Sequence, residues 1–407
     1  MKRLWHSPTL RSAFVHGVSG VGFAAANVIL ARVLSTAEYA VFTLVVALVN
    51  LGGAIAPAGV DEIVKRHRLE TGPRLLWQVI GAAAVTGVVF GGIAAIGYEL
   101  SWPLVPLVLL STLAYGALIV AGAQFQSELR FGISLSLLQS PNAVLLVAAV
   151  VVLLVREYDA WLPLLLATVG YVVAAAYGWG KLLVEREDKA HEPLRVSWPE
   201  ALSFAGMNAA GLLLIQLERL LIPHVLPLQD LATYGVLAAI VGSLFRVFQM
   251  GVGYSLTPRL RAAATVQARR HLIAHEAKLA SGIVLLGSAF LWLVTPWVER
   301  YLLAGKYHLT ASLILATIVS GIAKLMSAFT KSAVTAVADP REVHILTLLS
   351  WVSVGVAILA ALVGGRWLGL AGVIYGVGLG WTIRAGAAYY LTMRHLRRPA
   401  PVPVPTP

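Results

Sequence analysis

Apolar residues run along this chain in blocks. Each block holds about 20 of them, and a helix of that length crosses the ~30 Å of hydrocarbon in a bilayer at 1.5 Å per residue. The alternation that a lipid-spanning β-barrel requires is not sustained anywhere. The pattern predicts helical spans over residues 12–34, 40–60, 75–98, 104–124, 133–155, 161–179, 201–222, 231–256, 279–298, 309–329, 345–363 and 370–391. Short polar stretches punctuate them: STAEY at 35–39, ELSWP at 99–103, PHVLPLQD at 223–230 and GGRW at 364–367. Pro141 falls inside the fifth span and predicts a bend there. DEIVKRHRLETGPR reads as a basic loop. RLRAAATVQARRHLIAHEAK, 259–278, reads as an amphipathic surface helix preceding the ninth span.

The most charged segment, KLLVEREDKAHEPLRVSWPE, sits near the midpoint and carries Pro193 and Pro199. It divides the chain into a six-helix lobe over 1–180, a linker over 181–199, a second six-helix lobe over 200–393, and a tail over 394–407. That tail is basic, then Pro-rich, and reads as a disordered end with polyproline II character. EYAVFTLVVALVNL after the first span has an echo in TYGVLAAIVGSLF after the seventh, and Tyr39 and Tyr234 lie 195 residues apart. Two halves of six spans share one orientation, so an axis relating them runs along the membrane normal, with the substrate expected between the halves.

Composition agrees with this class. Of 407 residues 58% are hydrophobic and only 12% charged, and mean hydropathy is +0.81; soluble domains carry about 25% charged residues. The net charge of +12 has a topological origin, since cytoplasmic loops collect Lys and Arg. With twelve spans, 22 of the 31 basic residues fall on the side of the two termini and five on the other (Arg32, Arg156, Arg300, Lys306 and Arg366), while four lie within spans. Both termini are therefore expected in the cytoplasm and the protein in the cytoplasmic (inner) membrane as a multi-pass chain. The dispersal of these charges argues against a nucleic-acid partner. The absence of cysteine removes disulfides and thiol chemistry. No paired-carboxylate, nucleotide-binding or metal-ligand pattern is evident, and His271 and His275 lack the glutamate of a zinc-protease motif. Neither enzyme activity, a metal nor a bound cofactor is expected; energy would come from an H⁺ or Na⁺ gradient.

Charges in hydrocarbon are costly and usually functional. The four span cations are Arg219, Arg246, Lys324 and Arg384, all in the second half. Arg246 is the leading candidate: it lies 13 residues before Arg259, roughly 20 Å along a helix, with Gly242, Ser243, Gln249 and Gly253 at helical spacing. Lys324 shares a stripe with Thr317, Ser320 and Ser327, and either faces a cavity or snorkels toward the terminus side. Arg384 follows Gly376 and Gly380, which suit close helix packing. Arg219 lies toward the outer side and either joins the cavity or meets headgroups. Glu218, adjacent to Arg219 and so not paired with it, is either an ion-coupling carboxylate or the partner of a basic residue elsewhere. Asn27, Gln139, Asn142, Asn208 and Gln249 are secondary polar candidates for a cavity lining. A net-positive cavity suits an anion such as a diphosphate, whose oxygens arginine engages bidentately.

Three stretches carry a family likeness: ARVLSTAEYAVFTLVVALVNL followed by GVDEIVKR, ERLLIPHVLPLQDLATYGVLAAI with its acidic–basic pair Glu218–Arg219, and LTPRLRA. In these the chain resembles the multidrug/oligosaccharidyl-lipid/polysaccharide flippase superfamily, in particular the Wzx-type polysaccharide (O-antigen) translocases. The resemblance implies two six-helix lobes in a V, alternating access, and flipping of an undecaprenyl-diphosphate-linked oligosaccharide toward the outer leaflet for surface polysaccharide or lipopolysaccharide assembly. It further implies contact with membrane lipids and with polysaccharide polymerase and export proteins. The alternative within the same superfamily is a cation-coupled multidrug exporter. Such exporters tend to use a carboxylate in the first lobe, which the first-half spans here lack.

Overall fold

The computed structural model describes residues 8–67, 72–156, 158–185, 196–243, 265–337 and 340–397, with residues 245, 249, 256, 259, 260 and 263 between the last gaps. Among them the chain is helical, in twelve elements: α1 Pro8–Val33, α2 Thr36–Ile55, α3 Val60–His67, α4 Pro73–Gly92, α5 Leu104–Ser127, α6 Phe131–Val155, α7 Trp161–Glu185, α8 Trp198–Val225, α9 Leu228–Leu237, α10 Val266–Trp297, α11 Ala311–Val337 and α12 Pro340–Arg397. Single π-turns extend α4, α9 and α10 through Gly97, Gly242 and Leu302.

Nine helices among the described residues are long and apolar enough to cross a membrane, and the helical stretches Gly17–Val33 and Leu228–Gly242 are shorter apolar ones. One of the nine, α12, bends back at Gly369 (φ 58, ψ −139), a backbone conformation open to glycine, so it supplies two spans. The short helix α3 is packed into the first lobe through Val60, Ile63 and Val64. With nine to twelve apolar helical stretches among the described residues, the chain is an all-α, multi-pass membrane protein.

Local chemistry explains many of the boundaries. Ser35 is the N-cap of α2, its Oγ accepting from the Glu38 N–H at 3.1 Å. The Glu38 carboxylate in turn accepts from the Ala160 N–H, tying the start of α7 to α2. Thr265 caps α10 by accepting from Ala268 N–H at 3.1 Å.

Three expectations change. The 259–278 stretch and the ninth span are not separate, because α10 runs unbroken from Val266 to Trp297. The turn expected at GGRW is helical, and the reversal falls at Gly369. The supposed loop after the second span contains α3, whose Asp61 and Glu62 both bond Lys65, at 3.3 and 2.9 Å. Helix α6 continues through Pro141. The linker residues 186–195 and tail residues 398–407 lie outside the described residues, as does most of the eighth span beyond Ser243.

Packing follows the two halves of the sequence. Helices α1, α2, α4, α5, α6 and α7 pack on one another, α8, α11 and α12 form a second group, and α9 bridges the two, packed on α2 as well as α8. Helix α2 is the most enclosed, with buried positions all around it. Helix α10 is the least: Leu285, Leu286, Phe290 and Leu293 point outward, as side chains facing lipid do. The two legs of α12 close on small residues. A Cβ on Gly372 would stand 1.9 Å from Gly364 O, and one on Gly376 2.3 Å from Ala361 N.

On the termini side Gly59 lies against the Ala201 backbone of α8, where a Cβ would stand 1.9 Å from the Ala201 carbonyl oxygen. Polar contacts join the groups on the side opposite the termini. There Tyr307 donates to Ala31 O at 3.1 Å and Tyr98 to Leu220 O at 2.9 Å. Lys306 donates to Ala31 O at 3.0 Å and also to Leu34 O. Gly235 of α9 lies against Thr43 and Tyr39 of α2, where any Cβ would press within 2.7 Å of the Thr43 hydroxyl. Burial lowers the affinity of Lys306 for its proton, and the α1 carbonyls, at the negative end of that helix dipole, receive its ammonium.

Candidate functional site

A cavity of about 340 Å³ lies between the lobes in the half of the molecule nearer the termini. Helix α8 supplies Asn208 and Ile215, and the chain after α9 supplies Gln249. Helix α11 supplies Lys324, Ser327, Ala328 and Lys331, which stand at i, i+3, i+4 and i+7 and so share one face. The second leg of α12 supplies Trp381 and Arg384. Across from them the first lobe contributes apolar residues of α2 and α5 and, among the described residues, a single charge, Asp61 of α3.

The cations differ in how they are held. Lys324 donates to Glu218 Oε1 at 2.6 Å; its side chain is 20% exposed toward the cavity while Glu218 is wholly buried behind it. The other carboxylate oxygen, Oε2, is buried without a hydrogen bond of normal geometry, and the Tyr234 phenol lies beside the pair. Arg384 is stacked over the Trp381 ring at 5.6 Å. It rests against Gly211, where any Cβ would collide with its guanidinium at 2.6 Å, so glycine there makes room for the arginine. Among the described residues no carboxylate lies within ion-pair distance of Arg384 or Lys331. Asp61 is held by Lys65. Burial pushes its carboxyl up and Lys65 opposes that, with burial the stronger effect.

The structure thus brings together Lys324, Arg384, Asn208 and Gln249, with Glu218 behind Lys324. It sets Arg219 apart. That guanidinium bonds Gln216 at 2.8 Å and faces the Tyr234 ring at 5.9 Å, away from the cavity lining. Asn27 is also elsewhere, bonding Phe23 O and accepting from Tyr39 in the far-side contact. Gln139 and Asn142 line a different pocket, in the first lobe. Arg246 lies outside the described residues. Lys331 and Asp61 were missed in the sequence. Lys331 was legible as the i+7 continuation of the Lys324 stripe. Asp61 was not, because its segment reads as a basic loop.

This two-lobe arrangement of apolar helices has clear counterparts among solved structures. An inward-facing multidrug resistance MATE family transporter of the MOP superfamily matches with a TM-score of 0.66 and 15% identity, over 94% of this chain and 98% of that one. The chain has the fold of MOP-superfamily transporters. Lipid II flippase MurJ in an inward closed conformation matches equally well, with TM-score 0.66 and 12% identity over 94% of this chain and 86% of that one. An outward-facing MATE transporter of the superfamily matches less well, at 0.55 with 16% identity over 97% and 98%. No protein-family model matches the sequence, and no curated protein does either. The MOP fold here agrees with the flippase superfamily that the three sequence stretches resemble.

Proposed function

We propose that this protein is a flippase that moves a lipid-diphosphate-linked oligosaccharide across the cytoplasmic membrane by alternating access, for surface polysaccharide assembly. The observation that carries it is Lys331 and Arg384, which face a cavity between the lobes and, among the described residues, have no carboxylate within ion-pair distance. Such charges are retained there when they meet an anion. A diphosphate on a lipid offers several oxygens to a guanidinium and ammonium groups while its tail stays in the bilayer. An organic cation, the cargo in the exporter reading, would meet Lys331 and Arg384 in a cavity where Lys324 is already paired with Glu218 and Asp61 with Lys65. The biased loop charges support a cytoplasmic position for the termini, the half of the molecule in which this cavity lies. The contacts around Tyr307 and Tyr98 then close the outer side, a conformation suited to loading from the inner leaflet.

Glu218 is the proposed coupling residue. H⁺ or Na⁺ entering its carboxylate competes with the Lys324 ammonium, so ion binding and the buried pair alternate. Polymerase and export proteins of the same assembly line are the proposed protein partners.

The test is reconstitution into vesicles with a fluorescent lipid-diphosphate sugar and an impermeant quencher. Arg384→Met and Lys331→Met should each slow flipping at least about tenfold at equal reconstitution, as should Arg246→Ala if that residue joins them. Unchanged flipping in all three, or protein-dependent movement of organic cations in place of the lipid, would overturn the assignment.

A further inference from the structure

The first lobe holds a second cavity, about 290 Å³, enclosed by α1, α2, α5, α6 and α7 and touched by Ser243 beyond α9. Its chemistry differs from that of the cationic one. Among the described residues no charged side chain lines it. Its polar groups are the amides of Asn50, Gln139 and Asn142 and hydroxyls such as Ser243 and Ser111, and two of its walls are the rings of Tyr115 and Tyr171.

The walls are braced. Asn142 donates to Ser19 Oγ at 2.7 Å and to Gln139 Oε1 at 3.2 Å, and Ser19 donates to Gln139 Oε1 at 2.6 Å, locking the amides of α6 against α1. Thr168 spends its proton on Leu164 O, which makes Ser111 the donor in their 2.8 Å contact. The Tyr115 and Tyr171 rings pack at 5.1 Å. Tyr115 is pressed onto α2 at Gly53, where a Cβ would come within 2.3 Å of the ring.

The two cavities share continuous walls. On α5, Leu107, Ser111 and Tyr115 line the neutral one and Ile119 lines the cationic one, four residues apart in a single stripe. On α2, Asn50 belongs to the first and Ala54 to the second. An occupant with an anionic end and an uncharged polar end can therefore lie across both. The amide carbonyl of the fixed Asn142 and the amide of Asn50, set beside aromatic faces, match the hydroxyls and C–H faces of a pyranose. The volume is at the small end for ligand sites, which begin near 300 Å³.

We propose that this first-lobe pocket is a sugar subsite that takes an uncharged pyranose, the one next to the diphosphate held by the second lobe. The proposal rests on the flippase reading and adds to it a substrate class: lipid-diphosphates whose first sugar is neutral. A uronic acid would place a carboxylate where no cation receives it.

The experiment uses the full chain in lipid nanodiscs. The probes are a short-chain polyprenyl diphosphate, bare or carrying one hexose, one N-acetylhexosamine or one uronic acid. At least one neutral sugar should tighten Kd about tenfold over the bare probe, and the uronic acid should not. Asn142→Leu and Asn50→Leu, each checked for monodispersity, should erase that gain while leaving bare-probe affinity within about twofold. Arg384→Met should weaken every probe. A second readout needs no lipid: Ser243→Cys, the sole thiol in the chain, should react more slowly with a small maleimide when millimolar neutral methyl glycosides are present. Equal affinity for neutral-sugar and bare probes together with no protection of Ser243→Cys would overturn the subsite, as would a gain that survives both asparagine replacements. Protection without any binding of the bare diphosphate would uphold the subsite and remove the flippase reading.

Discussion

Glu218 and Lys324 sit 106 residues apart in sequence and 2.6 Å apart in space. A buried ion pair of this kind gives weak net stability, but removing one partner strands the other charge and costs about 3–5 kcal/mol. Glu218→Ala should therefore lower the melting temperature in detergent by several degrees, read from tryptophan fluorescence. Glu218→Leu combined with Lys324→Met should recover most of that loss without recovering transport. If the double replacement is as unstable as the single one, the pair is not the source of the cost. Asp61 permits a prediction of pH dependence. Its folded-state affinity for a proton is raised, first by burial, so its contribution to stability is present below the ordinary carboxylate range and lost as pH rises through the elevated value. Asp61→Asn, which mimics the protonated form, should melt higher than the parent at neutral pH, and the two should converge as pH falls below the carboxylate range. An advantage that persists at low pH would assign the effect to something other than titration.

Among elements, the α12 hairpin shows most directly how composition sets architecture. Gly372, Gly376 and Gly380 recur every fourth residue and bring one leg onto Gly364, Ala361 and Ala357 of the other at backbone distance. Overpacking typically costs about 1–3 kcal/mol, and here the obstacle is backbone, which yields less than side chains do. Gly376→Val should sharply reduce folded protein in the membrane, whereas Gly355→Val, where an added Cβ meets nothing within 4 Å, should be tolerated. Equal abundance of the two would mean that the hairpin does not need this contact. The glycine spacing was readable from the sequence. The position of the reversal was not, since GGRW has stronger turn chemistry than Gly369 and only the docking of the two legs selects between them. Helix α10 teaches the converse. Its charged first half and apolar second half change environment without changing conformation, and helical backbone geometry is indifferent to that crossing.

For the whole molecule, the closed far side is held by a few polar contacts between lobes. Lys306→Met with Tyr307→Phe removes three hydrogen bonds to the end of α1. The population should shift toward structures open on that side. With no native cysteine in the chain, spin-label pairs placed across the far-side loops report the change cleanly. Longer distances in the variant are expected; an unaltered distribution would show that the Tyr98–Leu220 and Gly235–Thr43 contacts suffice for closure.

The apolar helices, the two-lobe build and the basic character of the second half could be read from the sequence, because hydrophobic length and residue charge are local and additive. The assignment of Lys324, Arg384, Asn208 and Gln249 to one cavity, the burial of Glu218 behind Lys324, the separation of Arg219 from that group and the recruitment of Lys331 and Asp61 were decided by the tertiary structure. Each depends on the rotation of one helix against another, and a helix in a bilayer has no solvent-facing side to reveal that rotation in its sequence. Lipid and protein interior are almost equally apolar, so only packing determines which polar residue faces a partner, a cavity or the bilayer.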